Sequence, residues 1–248
     1  MEWIFALISV LIISAVSLIG ILTLWLSDKK TKKIFVYLVS FAVGGLFGDA
    51  FLHLIPEAMR EVSNHTTAAL FILTGILSSF AVERFLQWRH CHIPTSKEHP
   101  HTFAYMNLFG DSVHNFIDGL IVGGSYLVSI PIGVSTTIAV IFHEIPQELG
   151  DFSVLVYGGI QKRRALMFNF LTALTAIVGA IVALVLGSSL EGFIPLLVPF
   201  AAGNFIYIAG SDLIPELRRD TTELKKAALQ MTALILGVIP MLLLLLLE

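Results

Sequence analysis

Apolar segments of about 20 residues, separated by short charged breaks, recur along the whole 248-residue chain. A helix of about 20 residues is long enough to cross the hydrocarbon core of a bilayer. Only 13% of the residues are charged, about half the share that is typical of soluble domains. Together these features predict a membrane protein, and they exclude a soluble enzyme and a DNA-binding module. A single cysteine also excludes an internal disulfide.

The apolar segments predict eight transmembrane helices, which we call spans one to eight. Their expected limits are residues 3–26, 34–58, 67–88, 104–129, 132–157, 165–187, 193–216 and 226–247. The loops between them are short, so we expect an all-α membrane protein in which residues 1–248 form a single transmembrane domain. One loop, at residues 89–103, contains several histidines.

The distribution of basic residues predicts the orientation of the spans. Of the 15 Lys and Arg residues, only Arg60 falls in an even-numbered loop. Because cytoplasmic loops are enriched in Lys and Arg, the odd-numbered loops are expected in the cytoplasm and both termini outside. The expected location is a plasma membrane or an inner membrane. The formal net charge of −3 gives no reason to expect a nucleic-acid partner.

Acidic side chains, in contrast, lie inside the predicted spans. An ionisable group at the centre of a membrane helix costs roughly 2.5–3.5 kcal/mol on insertion scales. Asp118 and Glu144 lie near the middle of their spans and must face a positive charge, a proton or water. The carboxylates that fall within the spans include Asp49, Glu57, Asp111, Asp118, Glu144, Glu148, Asp151, Asp212 and Glu216.

Spans two and seven contain an internal repeat. Residues 41–57 read FAVGGLFGDAFLHLIPE and residues 200–216 read FAAGNFIYIAGSDLIPE. The two spans cross the membrane in opposite directions, which is the pattern of an inverted repeat with a substrate site between the halves. The predicted architecture is a 3+2+3 bundle with spans four and five in the middle, although two similar helix ends would also explain the match. His53 and Glu57 would then lie near the outer mouth, and Asp212 and Glu216 near the inner one.

The two central spans carry closely spaced polar side chains. Helical spacing places four residues of span four on one stripe: Asp111, His114, Asn115 and Asp118. In span five, His143 and Gln147 share a stripe, and a neighbouring stripe carries Glu144, Glu148 and Asp151. Imidazole nitrogens mixed with carboxylate and amide oxygens predict a divalent transition ion, zinc first, with iron or manganese as alternatives.

A proline lies within this part of span five. Pro146 removes a backbone hydrogen bond and frees the carbonyl group of Phe142. We therefore expect an interruption of the helix, which a membrane protein tolerates where the backbone meets protein or a water-filled cavity.

The motifs HNFIDG, in span four, and HEIPQELGD, in span five, resemble the ZIP (Zrt/Irt-like) family of divalent metal transporters. The second motif is most similar to the branch whose fifth helix reads HEIPHELGD. Eight spans, termini outside and a histidine-bearing third loop extend the resemblance over the whole chain. It implies an inverted-repeat bundle that moves zinc, iron or manganese toward the cytoplasm, with the metal site between spans four and five.

Carried over by position, the resemblance implies a primary site made of His114, Asp118, His143 and Gln147. Asn115 and Glu144 match positions that form a second, weaker site in some members. Gln147 departs from the branch, where a histidine is expected. Because a neutral amide oxygen is a poorer zinc ligand than imidazole, we expect a difference in affinity or metal choice. In span six, Ala176-Ile177 stands where other branches have Glu-Pro. Because a bridging carboxylate is then missing, we expect one well-occupied metal ion.

The predicted route of the ion uses further polar side chains. His53 and Glu57 attract the hydrated ion, and the pathway continues along Asp111, Glu148, Asp151, Asp212 and Glu216. In the third loop, histidines are candidates for receiving the ion as it leaves, although a flexible solvated linker is the alternative: His90, His92, His99 and His101. The sequence leaves open whether the chain forms a homodimer.

Two other functions use the same types of residue. An intramembrane zinc protease would use a His-Glu-x-x-His motif, but Gln147 occupies the position of the second histidine. A proton-coupled carrier of another solute would also use buried carboxylates and histidines. It leaves unexplained why two neighbouring spans both carry histidine and carboxylate ligands. We therefore expect a transporter rather than an enzyme, with the metal as its substrate.

Overall fold

The computed structural model describes residues 1–23, 28–90, 101–190, 193–219 and 223–245. In these ranges every regular element is a helix, which confirms the all-helical prediction. The α-helices of the described residues are α1 (Glu2–Val16), α2 (Asp28–Asp49), α3 (Ile55–Glu61), α4 (His65–His90), α5 (Thr102–Val128), α6 (Ile130–Tyr157), α7 (Lys162–Ala173), α8 (Thr175–Leu186), α9 (Ile194–Tyr207), α10 (Ile214–Arg219) and α11 (Leu224–Leu244).

Six helical segments within the described residues are long and apolar enough to cross a membrane, and they agree with six of the predicted spans. They are Glu2–Ile21, Ile34–Glu61, His65–Phe85, Lys162–Leu186, Pro195–Arg218 and Leu224–Leu244. The remaining two predicted spans are α5 and α6. Their 27 and 28 residues give lengths of about 40 Å, but their many polar residues exclude them from this set. These polar residues include the side chains of α5 and α6 that could hold a metal ion.

The two copies of the repeat share an unusual local structure. A π-helical segment, Ala50–Leu54, joins α2 to α3, and a second one, Ile208–Leu213, joins α9 to α10. Each segment ends directly before the Ile-Pro-Glu sequence of its repeat. A proline ring clashes with the carbonyl group four residues earlier and cannot donate a backbone hydrogen bond. The wider π turn accommodates both effects, so the repeated sequence has a repeated conformation.

Glycine pairs bring two pairs of helices into close contact. A Cβ atom added at Gly44 of α2 would lie 1.9 Å from the carbonyl oxygen of Leu234, and one added at Gly237 of α11 would lie 2.0 Å from that of Phe41. The same arrangement joins α4 to α9. Gly75 and Gly203 there approach the facing carbonyl groups so closely that an added Cβ would lie 2.1 Å from an oxygen. Small residues at such crossings let the backbones of membrane helices pack closely.

The centre of the bundle consists of α5 and α6, which pack against each other. Helices α1 and α8 cover one side of this pair, and α2 and α9 supply much of the remaining contact. Large apolar side chains on the outer helices α4 and α11 are exposed, as expected for surfaces that face lipid: Leu70, Leu73, Leu77, Leu236 and Leu243. Within the described residues, polar side chains such as Asp111 and Glu148 are therefore buried in the bundle, whereas apolar side chains cover the outer faces of α4 and α11.

The predicted interruption at Pro146 is wrong. Helix α6 runs without a break from Ile130 to Tyr157, with Pro146 inside it. A membrane helix can include a proline where neighbouring groups and small local adjustments compensate for the lost hydrogen bond. A break is found instead in span six, where Leu174 separates α7 from α8.

Candidate metal centre

Four side chains from the two central helices converge on one point. His114 and Asp118 are four residues apart on α5, so they lie on the same face one turn apart. His143 and Glu144 come from the middle of α6. One nitrogen or oxygen atom from each of the four lies within 4.8 Å of the others. The packing of α6 against α5 thus assembles two nitrogen and two oxygen donors.

The separations between these atoms match the needs of a small divalent ion. His114 Nε2 lies 3.3 Å from Asp118 Oδ2 and 3.5 Å from Glu144 Oε1. His143 Nε2 lies 3.1 Å from the same oxygen of Asp118 and 3.9 Å from that of Glu144. In a tetrahedral zinc site with bonds of 2.0–2.1 Å, neighbouring ligand atoms are about 3.3 Å apart. Three of the four separations are therefore close to the spacing of such a site, and the fourth is longer.

Several polar atoms around this point have no hydrogen-bond partner among the described residues. His114 Nδ1, Glu144 Oε2 and both amide atoms of Gln147 belong to this set. Glu144 is fully buried, and His114 and Gln147 are buried as well. Burying a polar group without a partner is costly. Unpartnered nitrogen and oxygen donors at the centre of an apolar bundle are what a binding site for a dehydrated cation requires.

A second group of three carboxylates lies next to the first. Asp111 on α5 and Glu148 and Asp151 on α6 each contribute an oxygen atom within 4.8 Å of the others. Asn115, which the resemblance assigns to a weaker metal site with Glu144, donates a hydrogen bond of 2.7 Å through Nδ2 to Asp111 Oδ1. Its Oδ1 has no hydrogen-bond partner among the described residues, and its part in a weaker metal site remains a prediction.

The other residues of the predicted pathway lie outside both groups. The ring of His53 is hydrogen bonded through Nε2 to the carbonyl oxygen of Met241 on α11, at 2.8 Å. Glu57 lines a cavity of about 600 Å³ together with Leu120 and Gly124, which follow Asp118 on α5. Asp212 lies in the second π-helical segment and Glu216 in α10, both partly buried. Neither joins the ligand groups.

The histidines of the third loop can be located only in part. Cys91, His92 and His99 fall outside the described residues, and of His90 only the backbone, at the end of α4, is described. His101 directly precedes α5, and its backbone N–H donates to the carbonyl group of Gly158. Its ring stacks on that of Phe103, with 5.3 Å between the two ring centroids. A metal-binding role for this loop remains a prediction.

Several polar residues in the bundle were not singled out from the sequence. Asn107, Asn169 and Thr172 all donate hydrogen bonds to the three-carboxylate group. Glu83 on α4 accepts a hydrogen bond from the hydroxyl group of Tyr207. A polar residue within an apolar span was the available signal in each case. Asn and Thr, however, also occur in membrane helices as ordinary helix–helix hydrogen-bond partners.

The fold and the site together define a helical membrane protein with buried nitrogen and oxygen ligands between its two central helices. The chain belongs to the ZIP zinc transporter family, whose model matches residues 2–102 and 90–245. This confirms the resemblance that the motifs of spans four and five indicate.

Curated relatives of the chain are named as zinc transporters. Zinc transporter zipt-7.1 of Caenorhabditis briggsae is 33% identical over 73% of this chain and 61% of its own length. The zinc transporter ZIP13 homolog of Drosophila melanogaster is 29% identical over 95% of this chain and 87% of its own length. Zinc transporter SLC39A7 of Homo sapiens is 29% identical, with coverages of 97% and 70%. The chain thus spans less than two thirds of the nematode relative.

Proposed function

We propose that this protein carries divalent transition-metal ions across a membrane, with zinc as its main substrate. The observation that carries the proposal is the group formed by His114, Asp118, His143 and Glu144, whose four donor atoms lie within 4.8 Å of one another inside the bundle. Mixed imidazole and carboxylate ligands suit zinc and also accept iron or manganese. The names of the relatives favour zinc among these.

The route that we propose follows the central helices. A hydrated ion enters through the cavity at Glu57, which lies beyond the Asp118 end of the ligand group on α5. It loses water as it binds to His114, Asp118, His143 and Glu144, with the amide oxygen of Gln147 as a further ligand. It then leaves past the second carboxylate group toward Asp212, on the side that the Lys and Arg distribution assigns to the cytoplasm. The ion is bound and released, and no covalent bond is formed or broken.

An eight-span bundle in a 3+2+3 arrangement would alternate access to this site. Matching π-helical segments in the two repeats support the arrangement. So do the glycine crossings, since α2 with α11 and α9 with α4 are the pairs that an inverted repeat relates to each other. In such folds, one part of the bundle rocks against another around a central site. We propose that the outer repeats move relative to α5 and α6.

A direct test is the uptake of radioactive zinc into proteoliposomes that contain the purified protein. We expect zinc to accumulate faster than in protein-free liposomes and to be reduced by excess unlabelled zinc. A panel of competing iron, manganese and magnesium ions would establish the substrate range, with magnesium the weakest competitor because it prefers oxygen ligands and keeps its water. Uptake equal to that of protein-free liposomes would contradict the proposal.

An intramembrane protease is the rival function, and the site argues against it. In a His-Glu-x-x-His protease, both histidines of the motif bind zinc and the glutamate acts as the general base. Here Gln147 replaces the second histidine, and Glu144 lies 3.5 Å from His114 among the metal-binding atoms. The relatives compared with the chain are named as transporters. Binding and release of an ion is therefore the simpler use of these ligands.

Gln147→His is expected to shift the selectivity of the site toward zinc. The buried amide of Gln147 has no partner among the described residues, and imidazole is a stronger ligand for zinc than a neutral amide oxygen. We expect the apparent affinity for zinc to rise about tenfold relative to that for manganese, as for a ligand worth about 1.4 kcal/mol. Competition between the two ions in the uptake assay measures this ratio. An unchanged ratio would exclude Gln147 from the site.

The single cysteine offers a test of the orientation. Cys91 belongs to the third loop, which is predicted to be cytoplasmic, and lies outside the described residues. In intact cells, a membrane-impermeant maleimide should label it only after the membrane is permeabilised. As a matched control, Cys91→Ser combined with Asn64→Cys puts the thiol between α3 and α4, and labelling should then occur without permeabilisation. The opposite result in both variants would reverse the predicted topology.

A further inference from the structure

The three carboxylates of Asp111, Glu148 and Asp151 form a compact group of their own. All three side chains are at least 97% buried, and one oxygen from each lies within 4.8 Å of the others. On α5, Asp111 lies one turn before His114, and on α6, Glu148 and Asp151 lie one and two turns after Glu144. The group therefore adjoins the histidine site on one side, toward the start of α5 and the end of α6.

Neutral side chains hold two of these carboxylates in place. Asn107 Nδ2 donates to Asp151 Oδ1 at 3.0 Å, and Asn169 Nδ2 donates to Glu148 Oε2 at 2.5 Å. Amide donors orient a carboxylate without cancelling its charge. Among the described residues, no Lys or Arg side chain forms an ion pair with either carboxylate. Neutral donors thus orient these two carboxylates, and no basic side chain among the described residues serves as their counter-charge.

The carboxylate of Asp111 is held in the same way. Thr172 donates its hydroxyl proton to Asp111 Oδ2 at 2.5 Å, and Asn115 Nδ2 donates to Asp111 Oδ1 at 2.7 Å. Thr172 and Asn169 both come from α7, so three helices contribute to this group. Such a network of neutral donors is the kind of outer support that fixes the orientation of ligand carboxylates.

Three oxygen atoms at this group lack a partner within the described part of the chain. They are Glu148 Oε1, Asp151 Oδ2 and Asn169 Oδ1. Asn169 is fully buried. Its Oδ1 shares one planar amide with the Nδ2 that is bonded to Glu148, so this oxygen lies at the edge of the group. A cation bound between these three oxygen atoms would satisfy all of them at once.

We infer that Asp111, Glu148, Asp151 and Asn169 form an oxygen-only site for a hard divalent cation such as manganese, separate from the histidine site. Carboxylate and amide oxygens are the ligands that such ions prefer, and nitrogen ligands are missing. The site extends the proposed transport function, because an ion released by the histidines meets it next. Since zinc prefers nitrogen donors, it is held more weakly here than at the histidines, and this favours its onward release.

Manganese binding to the purified full-length protein tests the inference. Electron paramagnetic resonance detects free hydrated Mn²⁺, so the loss of its signal measures binding. We expect His114→Ala with His143→Ala to retain manganese affinity within about threefold, and Asp151→Asn to lower it at least tenfold. Glu83→Gln is the matched control, because Glu83 is a partly buried carboxylate of the bundle outside the group and outside the proposed route, and it should behave like the wild type.

Asn169→Asp keeps the shape of the side chain and adds a fourth carboxylate. It is expected to strengthen manganese binding several-fold, a gain that misfolding cannot produce. Manganese affinity unchanged in both Asp151→Asn and Asn169→Asp would overturn the inference, as would its loss in the histidine double variant alone. If the wild type takes up zinc but no manganese binds at this group, the second site is rejected and the transport function stands. Manganese bound here without zinc uptake rejects the transport function instead.

Discussion

His143→Ala is expected to reduce zinc uptake into proteoliposomes by about 100-fold, and Asp118→Ala should have a similar effect. The shortest contact between the candidate ligands joins these residues, at 3.1 Å between His143 Nε2 and Asp118 Oδ2. Removing either side chain leaves three of the four converging donors. It also leaves the other member of this pair, the Asp118 carboxylate or the His143 imidazole, without its partner. A site with a missing ligand must leave the ion partly hydrated, which the closed interior of the bundle does not accommodate.

His65→Ala is the matched control for this experiment. His65 is exposed at the start of α4 and lies outside the ligand group. We expect it to retain uptake within about twofold. Protein amount in the liposomes and elution of a single species on gel filtration should be equal for all three variants. Wild-type rates in His143→Ala and Asp118→Ala would remove the assignment of the site.

Gly44→Ala is expected to destabilise the protein strongly, whereas the neighbouring Gly45→Ala should not. A Cβ atom at Gly44 would lie 1.9 Å from the backbone oxygen of Leu234, so α2 and α11 would have to separate. At Gly45, the nearest atom to an added Cβ is 4.0 Å away. Overpacking a close contact costs roughly 1–3 kcal/mol or more, while Ala in place of Gly in an unobstructed helix contributes up to about 1 kcal/mol of stability.

The two substitutions add the same methyl group at neighbouring positions of one helix, so each variant is a control for the other. Thermal unfolding of the detergent-solubilised protein measures the difference, with Gly44→Ala expected below the wild type and Gly45→Ala equal to it or above. Equal unfolding temperatures for the two variants would contradict the close crossing of α2 and α11. Gly203→Ala, at the related crossing of α9 with α4, should behave like Gly44→Ala.

The ligand stripes of α5 and α6 were predictable because helical spacing is a local property. His114 and Asp118 are four residues apart, and any α-helix places such residues on one face. The partner of Glu144 was not predictable in this way. Sequence spacing groups Glu144 with Glu148 and Asp151, but the rotation of α6 against α5 brings it 3.5 Å from His114. That rotation depends on packing between helices, which the spacing of residues along one helix does not reveal.

The second carboxylate group shows the same limit more clearly. Asp111, Glu148 and Asp151 were recognised as pathway candidates because carboxylates are costly in apolar spans. Asn169 and Thr172 were missed, since they come from α7, whose sequence does not reveal that it packs beside α5 and α6. Their polar side chains gain a role only from the carboxylates that the tertiary structure places next to them.

By itself, the sequence determined the class of this protein: apolar length, charge distribution and helical spacing establish a helical membrane protein with nitrogen and oxygen ligands on its central spans. These properties follow from solvation and local geometry, which depend only on the residues of each segment. The tertiary structure decided which donors converge, that the helix continues past Pro146, and how closely the helices approach at the glycine crossings. These depend on how whole helices pack against one another, and no single segment contains that information.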